Sequence, residues 1–527
     1  MATEPQRKLS FVRIFLAVIL LAMVIGGSWV TFQYLQQNKP VSRHTPWFAP
    51  YVDATATPLF AFEQLGTTQT KNIILSFIVS SASNPCTPTW GNAYTLSQAN
   101  GAIDLDRRIA RLRQLGGNVA ISFGGQSNTE LAVRCTDSKK LLAAYQSVIS
   151  RYSIDTIDLD VEGSDLTDAG ALKRRAAVIA TLQKSMRSQK KNLAVWLTLP
   201  VTPQGLTQDG TDAVAAFLNA KVDIAGVNVM TMDFGESKAP HDSMSQASET
   251  ALLETQRQLG ILYKQAGITL SSTSLWGKIG ATVMIGQNDV SDEIFTRSDA
   301  QKLNAFALSQ GVGRLSMWSA NRDIACGDNY VNVQIVSDSC SGVAQSKLAF
   351  ATVLSHGFTG DFSHNAQLVT KQDTNADLQT PDDPAKSPYQ IWTPTGVYLQ
   401  GTKVVWHHNV YQAKWWTQGD LPDNPVLQSY QTPWQLIGPV LPGEKPIPQP
   451  TLPIGTYAQW SGTKIYDVGD RVLFNGVPYQ AKWWTQGDSP AASSANQNSS
   501  PWEALTQEEV TQVLQALQAS QSANKKS

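Results

Sequence analysis

Eight short apolar runs, each followed by a longer stretch of different period, constrain this chain more than any other feature. They are "WFAPYVD" (47–53), "NIILSFIVS" (72–80), "NVAISFGG" (118–125), "IDTIDLDV" (154–161), "LAVWLTLP" (193–200), "IAGVNVMTM" (224–232), "KIGATVMI" (278–285) and "GRLSMW" (313–318). Between them, segments such as "AIDLDRRIARLRQLGG" and "SKKLLAAYQSVISRY" carry apolar residues near the 3.6-residue period of an amphipathic helix. Eight β–α alternations over roughly 300 residues suit a closed (β/α)8 barrel, with an open doubly wound sheet as the alternative. At 527 residues the chain is too long for that core alone.

Charge excludes one class of partner. The 41 Lys+Arg and 42 Asp+Glu give a net charge of −1, no footprint for nucleic acid. The chain is rich in tryptophan instead, with 15 in all and many near the C-terminus, which suits a neutral polysaccharide. Arg7, Lys8 and Arg13 precede the apolar run "IFLAVILLAMVIGGSWV" (14–30), long enough to approach a bilayer span. It reads as an export signal or transmembrane anchor, and both readings place the rest of the chain outside the cytoplasm, in the cell envelope or beyond. The cysteines Cys86, Cys135, Cys326 and Cys340 suit an oxidising compartment, and "CGDNYVNVQIVSDSC" favours Cys326–Cys340, leaving Cys86 for Cys135. No CxxC or histidine cluster suggests a metal, and no cofactor is expected.

The fourth run raises a chemical question. Side chains alternate along a strand, so Asp158, Asp160 and Glu162 share one face, while Ile157, Leu159 and Val161 share the other. In a barrel the apolar face meets the helices and the acids look inward. Glu162 then lies at the C-terminal end, where barrel enzymes do their chemistry. Carboxylates about 6–7 Å apart in a partly dry interior cannot all ionise, so one retains a proton near neutral pH, as a general acid requires. Asp155 has the opposite parity and is structural. A calcium loop fails because its twelfth position is Ala169.

These residues carry a resemblance. "DTIDLDVE" resembles the DxxDxDxE signature of family 18 glycoside hydrolases, the chitinases, and the likeness extends over most of residues 47–358. "SFGG" (122–125) resembles the family's SxGG motif, "MTMDFG" (230–235) its MxYD motif, and "SMWSANRD" its eighth-strand tryptophan segment. The resemblance implies a retaining hydrolysis in which the substrate's own N-acetyl oxygen attacks. Glu162 would protonate the glycosidic oxygen, Asp160 would orient the acetamide, and Asp158 would interact with Asp160. Trp318 would form the floor under the reacting sugar, with Met230 and Asp233 lining the site. Where the family has a tyrosine this chain has Met232, which cannot donate a hydrogen bond. Ser122, Gly124 and Gly125 are expected to support the barrel rather than touch substrate.

Beyond the barrel, "YQAKWWTQGD" occurs at 411–420 and again at 479–488. The two copies resemble small chitin- and cellulose-binding modules with an AKWW hallmark. Tyr411, Trp415 and Trp416 in the first, and Tyr479, Trp483 and Trp484 in the second, are the expected sugar-binding residues. One tryptophan of each pair is expected to face its module core and the other solvent, while Trp392, Trp434, Trp460 and Trp502 are assigned to the cores.

The expected organisation is thus α/β. It comprises an apolar N-terminal helix (1–43), a (β/α)8 TIM barrel (44–358), a linker (359–388), an all-β module (389–440), a Pro-rich linker (441–453), a second module (454–507) and a tail (508–527) with helical spacing. The expected function is endo-hydrolysis of chitin or a related N-acetylglucosamine polymer. A chitin-binding lectin on an inactive barrel, and an endo-β-N-acetylglucosaminidase acting on glycoproteins, are the alternatives.

Overall fold

The computed structural model describes residues 45–67, 70–330, 332–362, 381–441, 443–446, 451–490 and 500–524. The apolar run at 14–30 lies outside them. Among the described residues no helix is long and apolar enough to cross a membrane.

Each of the eight apolar runs contributes to a parallel barrel. The first is interrupted, with β1 (Trp47–Phe48) and β2 (Tyr51–Asp53) acting as one stave; β3 (Asn72–Ser80), β4 (Asn118–Gly124), β5 (Thr156–Asp160), β6 (Ala194–Thr202), β7 (Ile224–Met230), β8 (Ile279–Met284) and β9 (Arg314–Trp318) follow. The split stave closes the ring: Trp47 pairs with Arg314 on one side, and Tyr51 pairs with Ile74 on the other. Closure removes the open-sheet alternative.

The helices pack outside for the reasons their sequences suggest. In α1 (Ser138–Tyr152), the Asp137 side chain accepts from the N–H groups of Lys139 and Lys140, satisfying orphan donors of the first turn. Leu141, Tyr145, Val148, Ile149 and Tyr152 form its buried stripe. They meet the outward face of β5, where Ile157 and Leu159 are fully buried.

The barrel interior is filled by large residues set against small ones. Trp196 needs Gly226, where any Cβ would collide with the indole ring, and Arg314 stands over Gly280. Gly124, at φ +107°, packs on the Asp160 carbonyl, and Gly125, at φ +84°, lies against the Phe77 ring. Both glycines of "SFGG" therefore serve close packing beneath the end of β5.

Behind β4 and β5 a buried ion pair fixes the loops. Glu130 Oε2 accepts from Arg175 Nε and Nη2 at 2.9 and 2.7 Å and from the Ala132 N–H, and Oε1 accepts from the Tyr145 hydroxyl. The Glu130 N–H in turn donates to Asp165 Oδ2 at 2.8 Å, tying this loop to the short helix Gly163–Thr167 that begins at Glu162. Disulfides join Cys86 to Cys135 and Cys326 to Cys340.

The C-terminal repeats form two small all-β units of matching register. Lys403–Trp406 pairs antiparallel with Asn409–Ala413, which pairs with Trp434–Pro439. Arg471–Phe474, Val477–Ala481 and Trp502–Ala504 repeat that pattern. The tail forms the helix Gln507–Asn524, whose Val510, Val513 and Leu514 pack with Leu452, Leu473 and Leu505 of the second unit.

The Glu130 arrangement makes a prediction. Glu130→Ala leaves Arg175 buried without a counter-charge, and the expected cost is about 3–5 kcal/mol, read as a lower denaturation midpoint of the barrel.

Candidate active site

The register places the acids side by side with their supports. Asp158 lies opposite Ser122 on β4 and Trp196 on β6, while Asp160 lies opposite Gly124 and Thr198. Asp158 is fully buried, and both its oxygens are saturated. Oδ2 accepts from the Tyr51 hydroxyl at 2.9 Å and Ser122 Oγ at 2.8 Å; Oδ1 accepts from Thr198 Oγ1 at 2.8 Å and Arg314 Nη1 at 2.6 Å. Arg314 also donates to the Tyr51 hydroxyl and to Ser316 Oγ, and its guanidinium lies 5.1–5.2 Å from the Trp47 and Trp196 rings. Asn228 extends the layer, donating to Thr198 and Thr282.

One turn of the strand higher, conditions reverse. Asp160 is buried, and its Oδ1 has no hydrogen-bond partner. Burial, followed by the charges of Glu162 and Asp158, holds this carboxyl well above the usual range. Glu162 is half-buried at the mouth and shares a side-chain hydrogen bond with Asp160. Burial pushes Glu162 up to about 7; the bond to Asp160 opposes this, and the charges of Asp233 and Asp165 add to it. The inward row thus runs from a saturated carboxylate to one that holds a proton near neutrality.

Trp318 ends β9 beside this row. It is half-buried and stacks on Phe77, with ring centroids 5.5 Å apart and planes 22° apart. Tyr51 lies 6.2 Å away, below. Met230 ends β7, half-buried, and Met232 is half-buried just beyond it. Asp233 sits at φ +49°, with Oδ1 accepting from the Val290 N–H at 3.0 Å; burial raises its carboxyl. Glu293 holds the following turn through the N–H groups of Phe234 and Gly235. Among the described residues no group of three or more His, Cys, Asp or Glu has the arrangement of a metal site.

The structure brings Asp158, Asp160, Glu162, Asp233, Met230 and Trp318 to one end of the barrel. Sequence reasoning missed Arg314, Tyr51 and Phe77. Arg314 had a signal, because in "GRLSMW" it shares the inward parity of Trp318, and a cation inside a barrel must meet an anion. Phe77 had none, being one apolar residue in an apolar run.

Two expectations for the C-terminal units require correction. Tyr411 and Tyr479, expected among the binding residues, are buried in the unit cores at 8% and 4% exposure, because they share strand parity with the core residues Ala413 and Ala481. The tryptophan pairs do not divide between core and solvent. Trp415 and Trp416 are 44% and 57% exposed, and Trp483 and Trp484 are 44% and 58% exposed. The strand ends at Ala413 and resumes only at Thr417, so each pair sits in a bend where alternation does not apply. Trp392, Trp434 and Trp502 are buried, and Trp460 packs half-buried against its core.

Comparison with known proteins follows the same division. Residues 459–503 match the model of carbohydrate-binding module family 5/12. The chain is 32% identical over 289 residues to a probable bifunctional chitinase/lysozyme of Escherichia coli, covering 54% of this chain and 31% of that protein. It is 30% identical over 284 residues to endochitinase 11 of Metarhizium anisopliae, covering 53% and 52%. The matches thus span about a third and about half of these relatives' lengths. The structure is similar to active domain 2 of a chitinase from Pyrococcus furiosus, with a TM-score of 0.51 and 26% identity over 62% of this chain and all of that one.

Removing the central cation tests the electrostatics. Arg314→Met strands the Asp158 charge and is expected to lower stability by about 3–5 kcal/mol, while adding Asp158→Asn restores a large part, as thermal denaturation of the single and double variants will measure. Glu162 makes a pH prediction. Its folded pKa lies above the unfolded one, so its contribution to stability is complete below about 4.3 and is lost as pH rises through about 7. The barrel of Glu162→Gln is therefore expected to gain stability over the wild type between pH 5 and pH 8, checked by calorimetry across that range.

Proposed function

We propose that this chain is a chitinase that hydrolyses β-1,4-linked N-acetylglucosamine polymers by substrate-assisted catalysis. The observation that carries this reading is the gradient along the inward row: a saturated Asp158, an Asp160 with a free buried oxygen, and a Glu162 that titrates near 7. The similarity to chitinases over the barrel supports it.

A proton donor at pH 7 must be neutral yet ready to ionise, and Glu162 meets both needs. It gives its proton to the glycosidic oxygen as the C–O bond breaks. The substrate's acetamide oxygen attacks the anomeric carbon from the other side, forming an oxazolinium ion. Asp160 Oδ1 accepts the acetamide N–H, which satisfies that oxygen and orients the nucleophile. As Glu162 becomes anionic, Asp160 retains its proton and donates to it. Trp318, braced by Phe77, offers an apolar plate to the C–H face of the reacting sugar. Water then opens the oxazolinium ion with Glu162 as base. Met232 offers no hydrogen bond to the acetamide oxygen, so orientation rests on the nitrogen side.

Both C-terminal repeats bind the same polymer in this reading, through Trp415 and Trp416 in one and Trp483 and Trp484 in the other. Flat exposed rings on small β units match sugar faces. The apolar run at 14–30 and the two disulfides support export, with residues 14–30 as anchor or cleaved signal.

Release of soluble oligosaccharides from colloidal chitin tests the proposal. Glu162→Gln is expected to lower kcat by about 10²–10⁴-fold. Wild-type activity is expected to fall as pH rises through about 7, where Glu162 loses its proton. Equal release by both proteins removes the assigned acid, and no release by either leaves a lectin.

A further inference from the structure

The two repeats agree over "YQAKWWTQGD" and diverge immediately after it. The first continues "LPDNPVLQSYQT" (421–432), whereas the second has a segment of the same length, "SPAASSANQNSS" (489–500). At the repeat offset, Val426, Leu427 and Tyr430 of the first copy correspond to Ser494, Ala495 and Asn498. The second copy thus lacks the large apolar and aromatic residues of the first.

In the first copy those residues meet the barrel. Arg257, on the barrel helix Met244–Gln265, donates from Nη1 to the Val426 carbonyl at 2.5 Å and from Nη2 to the Leu427 carbonyl at 3.0 Å. Glu254 steadies the guanidinium at 2.9 Å. Gln258, fully buried, donates to the Leu427 carbonyl at 3.0 Å, and Leu427 packs on the barrel's hydrophobic core. Gln258 also holds both backbone groups of Leu206, in the hairpin that follows β6 at the catalytic end. A charged fork on two carbonyls with a buried amide beside it is a specific contact.

The same loop borders the sugar-binding face. Lys414 Nζ lies 4.8 Å from the Trp415 ring centre and donates to the Ser429 carbonyl, which sets the loop beside that ring. The next residue, Tyr430, is 69% exposed.

We propose that the first repeat is a fixed extension of the catalytic unit, docked on the barrel rim through residues 426–428, and that Tyr430 adds a third aromatic plate for chitin beside Trp415 and Trp416. This rests on the chitinase reading for the ligand, but the docking itself does not. A fixed module holds the polymer at a set distance from the acid row, whereas a free one only raises its local concentration.

The test uses the full chain. Glu254 holds Arg257 against the Val426 and Leu427 carbonyls and Lys414 bonds the Ser429 carbonyl of the same loop, so a short amine-to-carboxylate cross-linking reagent is expected to join Lys414 to Glu254, as peptide mass spectrometry will detect. Leu427→Asp, or Arg257→Ala from the barrel side, is expected to abolish that cross-link and lower release from insoluble chitin by about tenfold, with kcat/KM on soluble oligosaccharides unchanged. Tyr430→Ala is expected to keep the cross-link and weaken retention on insoluble chitin. No cross-link in the wild type overturns the docking. An undocked variant with undiminished release from insoluble chitin overturns its role, and undiminished retention by Tyr430→Ala overturns the third plate. A wild type that cross-links but releases nothing from soluble oligosaccharides sinks the chitinase reading and leaves the docking standing.

Discussion

A single buried ion pair, Arg314 with Asp158, conditions everything above it in the barrel. Both side chains are essentially inaccessible to water, and neither would tolerate that place alone. The rest of the lumen is arranged to accommodate them. Tyr51, Ser122, Thr198 and Ser316 supply the remaining hydrogen bonds, and Trp47 and Trp196 flank the guanidinium with ring faces. The glycines at 226 and 280 exist to make room, since a methyl group at either would strike Trp196 or crowd Arg314.

The consequence is an uneven distribution of charge along one strand. Arg314 faces the row, and its strong bond goes to Asp158. Asp160 and Glu162 lie further from it, buried enough to suffer desolvation and close enough to repel each other. A protonated Asp160 beside a Glu162 that holds its own proton up to about pH 7 is the least costly solution. Rigid surroundings keep that solution from relaxing away: Gly124 and Gly125 pack tightly beneath the strand end, Glu293 ties down the turn after Asp233, and Asp165 links the start of the next helix to Glu130. The acid chemistry is thus a property of the barrel interior rather than of Glu162 alone.

Most of this was legible in the sequence where a period carried the information. Strand alternation in "IDTIDLDV" correctly sorted the inward acids from the outward Ile157 and Leu159, and eight alternations correctly gave a barrel. Reasoning failed where the period lapsed or where chemistry was silent. Trp415 and Trp416 lie in a bend between strands, so parity misassigned one of them to the core. Tyr411 and Tyr479 were expected to bind because they begin the shared AKWW-containing motif, yet parity with Ala413 and Ala481 puts them inside. Phe77 supports Trp318 from a run that is apolar at most positions, where nothing sets it apart. Arg314 was readable, but only by asking which anion a cation inside the barrel would face.

The exposed tryptophans set the C-terminal repeats apart from the acid row of the barrel. Both repeats expose the same two indoles to nearly the same degree, and in each a lysine ammonium lies over the first ring, 4.8 Å away at Trp415 and 4.7 Å at Trp483. Cores this small, built on Tyr398, Tyr411 and Trp434 in one copy and Tyr466, Tyr479 and Trp502 in the other, have no surplus of apolar burial to offset two indoles left in water. Near-identical exposure in two copies whose following loops diverge fits the proposed sugar-binding surface better than folding alone. An insoluble polymer presents its sugars in fixed rows, so plates held by separate units can engage it together, each limiting the escape of the other. Under the proposed function, the barrel, whose site would offer Trp318 as a platform, would act on a chain already held.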